Sequence, residues 1–459
     1  TRTASLRVML RRGGEVLATA LVVAFVSLRC MELIDVYCQS RLHLLLHAGL
    51  ALLASLRPGL PRVTLLAVLY GVMRHRLDVQ VYAAPEATSL AGAIVVIAGA
   101  SNGIGLALAH ELAALDAATV VLGCRNLSKC ERVRPARARC VQLDLADLRS
   151  VVQFAAELRG SVPRIDYLVH NAGFLAGGKL EPRTAQGFEP SLGVMHLAHH
   201  LLTRELWGLL QARSPGGRFE RARVISHASA AFITGDLSSL LVGDGAADVR
   251  GEAMVGCLGR TSSVGELVSG TVRSLAKLYL RVPLPPGEAA LCPLAGVYSR
   301  AKLAQVLFSQ ELQHRASRHR ANAKSTDEHQ EAGEGAAPRA VATFSLHPGT
   351  VRSGIVTLPA WLVRPTAIGA RVLLYCLLTE GAAPGSFVDE MQSPHDLLLA
   401  TARRADNPQV GRPRGYAYSV PIAAYLAATQ GRPEEYRARL WAVSERLVAP
   451  YASEHSWTF

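Results

Sequence analysis

The chain has 459 residues, of which 50% are hydrophobic, so it can bury a sizeable core in more than one minimal domain. Its formal charge is +13. Residues 1–80 hold ten arginines and four acidic residues, which places +6 in an apolar region rather than in a basic stripe interleaved with aromatic residues. This distribution argues against a nucleic-acid-binding protein and indicates contact with a membrane.

The N-terminal region contains three apolar runs, at residues 16–28, 42–56 and 63–73, and arginines interrupt the series. Each run is shorter than the roughly 20 apolar residues that cross a bilayer comfortably. Buried or interfacial helices, or a signal peptide for the first run, are the alternatives. We expect at least one membrane-embedded segment, because apolar runs continue past any cleavage point of a signal peptide. Residues 1–85 are therefore predicted to be a membrane anchor, with a polar bridge over 78–89.

Strand and helix patterns alternate through residues 86–459, which predicts a parallel sheet with helices on both faces. The predicted strands are Ile94–Ala98, Thr119–Leu122, Cys140–Leu143, Ile165–His170, Ala222–His227 and Val341–Leu346. The predicted helices are Ile104–Leu115, Leu148–Leu158, Leu192–Leu210 and Tyr298–His314. Two segments interrupt the alternation and are interpreted as insertions, one near 234–296 and a polar surface loop over 316–338.

The eight cysteines include no C-x-x-C pair and no spacing typical of zinc ligands. They are also too sparse for a disulfide framework. The sequence therefore predicts no metal site and a reduced catalytic domain that faces the cytosol.

A glycine-rich turn directly follows the first predicted strand, with Gly99, Gly103 and Gly105 in the spacing G-x-x-x-G-x-G. Small residues at such a turn let the backbone approach a phosphate at the N-terminus of the next helix. An ordinary tight strand-to-helix turn would look the same from the glycines alone.

The end of the second strand carries Arg125 where an acidic residue would bond the ribose 2′-hydroxyl of NAD. An arginine there can pair with the 2′-phosphate of NADP(H), although it could equally be a solvated surface residue. Asp144 ends the third strand and could bond an adenine amino group, cap the following helix, or do both.

Polar residues also follow the next two strands, where the carboxyl edge of a parallel sheet faces the ligand crevice. Asn171, followed by Ala172 and Gly173, could shape the backbone there, or could be a simple turn residue. Ser229 follows the fifth strand and could hold a substrate carbonyl. Ser226 is the rival candidate, but it lies within the strand.

Tyr298 and Lys302 are four residues apart on a predicted helix and therefore share one face. A nearby ammonium favours the phenolate, so we expect the pKa of Tyr298 to fall towards neutral pH. A tyrosine tuned in this way can exchange a proton with a carbonyl oxygen. The glycine turn followed by this pair predicts hydride transfer with a nicotinamide cofactor.

The ordered set of motifs resembles the short-chain dehydrogenase/reductase family over roughly residues 90–450. The set comprises the glycine turn, Asn171–Gly173, Ser229, Tyr298 with Lys302, and His347–Gly349. Five further segments resemble its retinol-dehydrogenase-like and WW-domain-oxidoreductase-like members: Gly123–Asn126, Gly187–Glu189, His199–Thr203, Leu346–Arg352 and Arg439–Ser444. The resemblance implies an α/β fold with a Rossmann-type doubly wound parallel sheet in residues 86–459.

The resemblance also implies a role for each matching residue. Tyr298 would be the general acid/base, Lys302 would bond the nicotinamide ribose, and Ser229 would orient the carbonyl. The glycine turn would line the pyrophosphate, Asp144 and Asn171 would meet the adenosine half, and the loop from 348 to 351 would contact the nicotinamide amide. The residues expected at the cofactor are Gly99, Ser101, Asn102, Gly103, Ile104, Gly105, Arg125, Asp144, Asn171, Ala172, Gly173, Tyr298, Lys302, Pro348, Gly349 and Val351.

The sequence departs from the family pattern in two places. Met195 stands where many members have an asparagine that supports a proton relay, and methionine cannot replace its hydrogen bonds. The adjacent His196 should point elsewhere on the helix. Tyr298 follows Ser229 by 69 positions, which also exceeds the family's usual gap.

We therefore expect an NADP(H)-dependent oxidoreductase, with NAD(H) less favoured, that acts on a carbonyl or alcohol of a lipophilic substrate such as a retinoid or steroid. The alternative is a catalytically weak family-fold protein that binds nucleotide and regulates or binds partners. We expect attachment to a membrane, with the endoplasmic reticulum as a candidate and the catalytic domain in the cytosol. No nucleic acid is expected as a partner, and a homodimer is left open.

Overall fold

The structure is a computed structural model. It describes residues 90–117, 119–174, 183–214, 219–229, 231–232, 235, 237, 293–327, 338–349, 351–352, 365–378, 384–389, 429, 431–454 and 457. The predicted membrane anchor, residues 1–85, and nearly all of the predicted insertion 234–296 lie outside these residues.

Seven parallel strands form one sheet in the order β3-β2-β1-β4-β5-β6-β7. The strands are β1 Ile94–Ala98, β2 Thr119–Cys124, β3 Ala138–Gln142, β4 Tyr167–His170, β5 Arg221–His227, β6 Ala340–His347 and β7 Phe387–Asp389. The chain winds outward from β1 to β3 and then returns to the centre at β4. A crevice therefore opens at the carboxyl ends of β1 and β4, which is where such sheets bind ligands.

The central strands β1 and β4 are short, largely apolar runs whose side chains are buried on both faces of the sheet, and β1 is mostly β-branched. All five residues of β1 are buried, as are all four of β4. Such continuous apolar runs are typical of parallel strands that helices cover on both faces. The predicted Rossmann-type α/β sheet is confirmed, and each predicted strand is present with its ends shifted by at most two residues.

The helices are α1 Gly103–Ala114, α2 Leu127–Val133, α3 Leu148–Ser161, α4 Pro190–Leu192, α5 Ala198–Glu205, α6 Trp207–Gln211, α7 Pro293–Asp327, α8 Thr366–Leu378 and α9 Pro433–Val448, with a π-helical turn over Gly193–Leu197. The predicted helix Leu192–Leu210 is therefore a series of short helices broken by a π-turn and by Leu206. None of the helices in the described ranges is long and apolar enough to cross a membrane.

Helix α7 is longer than its prediction at both ends. It extends to Asp327, so the predicted surface loop over 316–338 is wrong for residues 316–327. That stretch contains three alanines, two arginines and a lysine and has no glycine or proline, so nothing in it ends the helix. Residues 328–337 lie outside the described ranges.

A disulfide joins Cys130 on α2 to Cys140 in β3, so the expectation of reduced cysteines is wrong for this pair. The two cysteines are ten positions apart in the sequence. Their spacing matches no recognised motif, and the packing of α2 against β3 brings them together. Cys124 and Cys376 are buried free thiols.

A buried ion cluster at the amino edge of the sheet joins β1, β4 and β6. The Asp166 carboxylate accepts from the backbone amide of Ile94 at 2.8 Å, from Arg339 Nη2 at 2.6 Å and from Arg164 Nε at 3.0 Å. The Asp166 side chain is completely buried. Every oxygen of this buried carboxylate is therefore paired, which is the condition for tolerating a buried charge.

We predict that Asp166→Asn lowers the free energy of unfolding by about 3–5 kcal/mol, because it leaves two buried guanidinium groups without their counter-charge. Urea denaturation followed by circular dichroism measures the change. Asp116→Asn is the matched control, because the Asp116–Arg137 pair is more than half exposed and should change stability by less than about 0.5 kcal/mol. Equal effects of the two substitutions would contradict this assignment.

Candidate active site

The glycine turn presents open backbone donors at the N-terminus of α1. The cap residue, Asn102, forms no side-chain hydrogen bond to the helix, so the first amide groups of α1 are available to an anion. Gly99 has φ +89°, and a Cβ there would lie 2.6 Å from the Cβ of Ala172. Only glycine fits this position, which packs the end of β1 directly against the chain that follows β4.

The amide of Asn171 ties the carboxyl ends of three strands together. Its Nδ2 donates to the Gly99 carbonyl at 2.5 Å, and its Oδ1 lies 2.9 Å from His227 Nδ1 at the end of β5. Since an amide oxygen only accepts, this Nδ1 must carry the proton. Burial and the nearby Lys302 hold the pKa of His227 well below its usual range, so the ring is neutral. Asn171 is therefore more than a simple turn residue, because its side chain links two other strand ends. Sequence reasoning did not identify its partner His227.

The structure brings the three predicted catalytic side chains together. Ser229 and Tyr298 are joined by a side-chain hydrogen bond. Lys302 Nζ lies 5.3 Å from the centre of the Tyr298 ring and donates to the His227 carbonyl at 2.7 Å and to Gln305 Oε1 at 2.9 Å. Ser226, the rival of Ser229, is buried within β5.

The expected fall in the pKa of Tyr298 is wrong in this structure. Burial raises the pKa of Tyr298, and the hydrogen bond from Ser229 offsets that rise only in part. Burial also lowers the pKa of Lys302 to about 7. The reason is that both groups are desolvated, which disfavours their charged forms.

Met195 lies in the π-helical turn and is fully buried beside Lys302. A Cβ placed on Gly173 would be 3.4 Å from Met195 Sδ and 3.5 Å from Lys302 Nζ, so both atoms flank the same point. His196 points away from the site, as expected, with its Nε2 2.7 Å from Ser444 Oγ. A thioether thus occupies the position from which an amide could hydrogen-bond towards Lys302.

Four buried histidines lie behind this position, and sequence reasoning did not group them. The rings of His170 and His199 stack with their centres 4.6 Å apart, while His196 and His200 pack edge to face. Burial lowers the pKa of all four, so they are neutral at physiological pH. The helical spacing of His196, His199 and His200 could have predicted that these three lie close together. His170 could not be predicted to join them, because it lies on strand β4 and only the tertiary fold brings it to this helix.

The adenosine end of the predicted site lies at the ends of β2 and β3. The Arg125 side chain is exposed, and it forms no hydrogen bond or ion pair with the described residues. Asp144 Oδ1 accepts from the Ala146 amide at 2.9 Å, whereas Asp147 caps α3. The alternative that Asp144 caps the helix is therefore wrong.

The loop after β6 and the helix α1 both lie against α8. Gly349 has φ +85°, which turns the chain after Pro348. A Cβ on Gly369 of α8 would lie 2.9 Å from Val351 and 3.0 Å from Ile104, so these two predicted cofactor residues share one small space. The uncapped α1 terminus, the exposed Arg125 and this loop all lie along one sheet edge, and together they fit an extended dinucleotide.

Comparisons with known proteins agree on one family. A family profile described as "short chain dehydrogenase" matches residues 93–231. The chain is 30% identical to human retinol dehydrogenase 12 over 313 residues, which are 64% of this chain and 76% of that protein. It is 34% identical to human retinol dehydrogenase 13, over 34% of this chain and 46% of that protein. It is 30% identical to the WW domain-containing oxidoreductase of Drosophila melanogaster, over 60% of this chain and 53% of that protein. The match thus spans about half the length of some of these relatives.

We predict that Lys302→Met removes a pH dependence from the free energy of unfolding. Lys302 has a pKa of about 7 in the folded chain and an ordinary value of 10.5, so between these values the unfolded chain binds more protons and stability rises with pH. The difference in stability between the wild type and Lys302→Met should therefore grow in favour of the wild type from pH 7 to pH 9, by up to about 1.4 kcal/mol per pH unit. Urea denaturation at four pH values measures it, and parallel curves would contradict a buried lysine.

Proposed function

The chain belongs to the short-chain dehydrogenase/reductase family, and we propose that it is an NADP(H)-dependent oxidoreductase acting on a carbonyl or alcohol of a lipophilic molecule. The observation that carries the proposal is the hydrogen bond between Ser229 and Tyr298 beside the buried Lys302. A hydroxyl pair and an amine at the crevice edge match the needs of proton transfer to an oxygen atom.

The three side chains divide the work between orientation and proton transfer. A bound nicotinamide cofactor supplies or accepts the hydride. In the direction of reduction, the Tyr298 hydroxyl gives its proton to the carbonyl oxygen, and in oxidation it takes a proton from the alcohol. Ser229 bonds the same oxygen and orients it. In its ammonium form Lys302 stabilises the phenolate that Tyr298 leaves behind.

Lys302 is suited to exchange protons because its pKa of about 7 lets both its forms exist near neutral pH. Its bonds to the His227 carbonyl and Gln305 hold the amine beneath the tyrosine ring. Burial around it excludes water, which strengthens its electrostatic effect on Tyr298.

Use of NADP(H) rather than NAD(H) is proposed from the residues at the end of β2. No acidic residue is available there to bond a ribose 2′-hydroxyl, and the exposed Arg125 has no partner among the described residues. A guanidinium in that position suits a 2′-phosphate, since such a pair makes charge-assisted hydrogen bonds.

We predict that Arg125→Ala removes most of the preference for NADPH over NADH. The lost charged contact is worth about 1.5–3 kcal/mol, so the dissociation constant for NADPH should rise roughly ten- to hundredfold. Fluorescence titration with each cofactor measures this change. Affinity for NADH should stay the same, and equal affinity of the wild type for the two cofactors would overturn the proposal.

A lipophilic substrate and a membrane location are proposed from two separate indications. The relatives named as retinol dehydrogenases act, by that name, on a retinoid alcohol. The apolar runs within residues 16–73 suit a chain that takes its substrate from a bilayer.

We predict that the 459-residue chain sediments with membranes and stays there after a high-salt wash, because apolar insertion does not depend on charge screening. A chain that begins at residue 86 should remain in the supernatant and still bind NADPH. Release of the 459-residue chain by salt would show attachment through charge alone and would exclude the proposed anchor.

A second function, nucleotide binding that serves regulation rather than catalysis, is favoured by one observation. Met195 lies beside Lys302 where a relay amide is missing. If this substitution has abolished turnover, NADPH will bind but no carbonyl compound in a broad panel will be reduced. Met195→Asn should then restore activity if the missing amide is the reason.

We predict that Tyr298→Phe lowers kcat by about 10²–10⁴-fold in a panel of aldehydes and ketones, the usual worth of general acid catalysis. The side chain keeps its ring and its packing, so NADPH affinity should not change. Ser229→Ala should also lower kcat more than cofactor affinity. Oxidation of NADPH, followed by absorbance, measures both. Full activity in Tyr298→Phe would exclude the proposed mechanism.

A further inference from the structure

Three cysteine sulfurs converge at the outer edge of the sheet, away from the catalytic side chains. Cys124 ends β2, Cys130 lies on α2 and Cys140 lies in β3. Cys124 Sγ is 2.8 Å from Cys130 Sγ, and all three sulfurs lie within 4.8 Å of one another. Within the described part of the chain, no other group of three histidine, cysteine or acidic side chains converges in this way.

We propose that these three cysteines, once the Cys130–Cys140 disulfide is reduced, form a site for one thiophilic divalent cation of the zinc type. A dithiol or a phosphine supplies the two electrons, the sulfur–sulfur bond breaks, and two protons complete the two thiols. Binding then forms three metal–sulfur bonds and releases the three thiol protons to solvent.

The strand register places two of the ligands on one face of the sheet. Leu122 is paired with Cys140, and Cys124 with Gln142. Because side chains two residues apart share a face, Cys124 and Cys140 are diagonal neighbours on adjacent strands. Helix α2 lies over them and contributes Cys130. The ligands therefore sit on regular elements, which fix their positions better than loops do.

The separation of the sulfurs suits a tetrahedral thiolate site. Thiolates bound to zinc at about 2.3 Å lie about 3.8 Å from one another, which is within the 4.8 Å limit observed here. Three protein ligands leave a fourth position open. Cys140 is only partly buried, so water or a small exogenous ligand can reach that position.

Polar groups surround the Cys124 sulfur. It forms hydrogen bonds with the backbone of Ala100 and the side chain of Ser101, and Lys129 lies nearby. Burial outweighs these contacts and raises the pKa of the thiol to about 11, so an incoming cation must displace the proton and supply the compensating charge. Metal sites commonly hold their ligands with such outer contacts. Cys124 makes these contacts as a free thiol, outside the disulfide.

Cadmium titration of the reduced 459-residue chain tests the proposal, since cadmium thiolates absorb in the ultraviolet. Cys30, Cys38, Cys257 and Cys292 are changed to serine in every sample, which limits the signal to the described cysteines. We expect one tight equivalent of Cd²⁺ that Zn²⁺ displaces, and none in the chain with its disulfide intact. Cys124→Ser, Cys130→Ser and Cys140→Ser should each weaken binding more than tenfold, and far-ultraviolet circular dichroism checks that they fold.

Cys376→Ser is the matched control, because Cys376 is also a buried free thiol but lies on α8. The reduced Cys376→Ser chain should still bind one tight equivalent of Cd²⁺. Unchanged binding in Cys124→Ser would show a two-cysteine site and overturn the three-sulfur proposal. Absence of a tight equivalent in the reduced parent chain, or equal binding before and after reduction, would overturn it as well.

Discussion

One side-chain amide holds the carboxyl edge of the sheet in the shape that the site requires. Asn171 donates to the Gly99 carbonyl and accepts from His227, so it links the ends of β1, β4 and β5. The glycine turn depends on the first contact, because the chain after β4 packs directly against Gly99. Lys302 depends on the second, since its amine bonds the carbonyl of the same His227. One residue therefore positions both the glycine turn and helix α7.

Burial sets the electrostatics behind that edge. Desolvation raises the pKa of Tyr298, lowers that of Lys302 and keeps four histidines neutral. These neutral histidines add no charge next to the site, so the charge of a protonated Lys302 acts on Tyr298 through a medium of low polarity. Met195 is fully buried beside this lysine, and its thioether offers no useful hydrogen bond to a polar group or water.

The sequence predicted the parts of the fold that local patterns encode. Strands such as Ile94–Ala98 are short β-branched runs, and Tyr298 and Lys302 are neighbours on any helix. Contacts made by topology could not be predicted: His227 reaches Asn171 across 56 residues, and Cys124, Cys130 and Cys140 meet through strand pairing and a helix crossing. The direction of the Tyr298 pKa was also beyond local reasoning, because it depends on how deeply the fold buries the ring.

The most direct test is the affinity of Asn171→Asp for NADPH, measured by fluorescence titration. Aspartate has the same shape and can still accept from His227, but it cannot donate to the Gly99 carbonyl. We predict about a tenfold loss of affinity or more, the worth of one lost hydrogen bond that orders the glycine turn, with the secondary structure intact. An unchanged dissociation constant in a folded Asn171→Asp protein would contradict the claim that this amide organises the site.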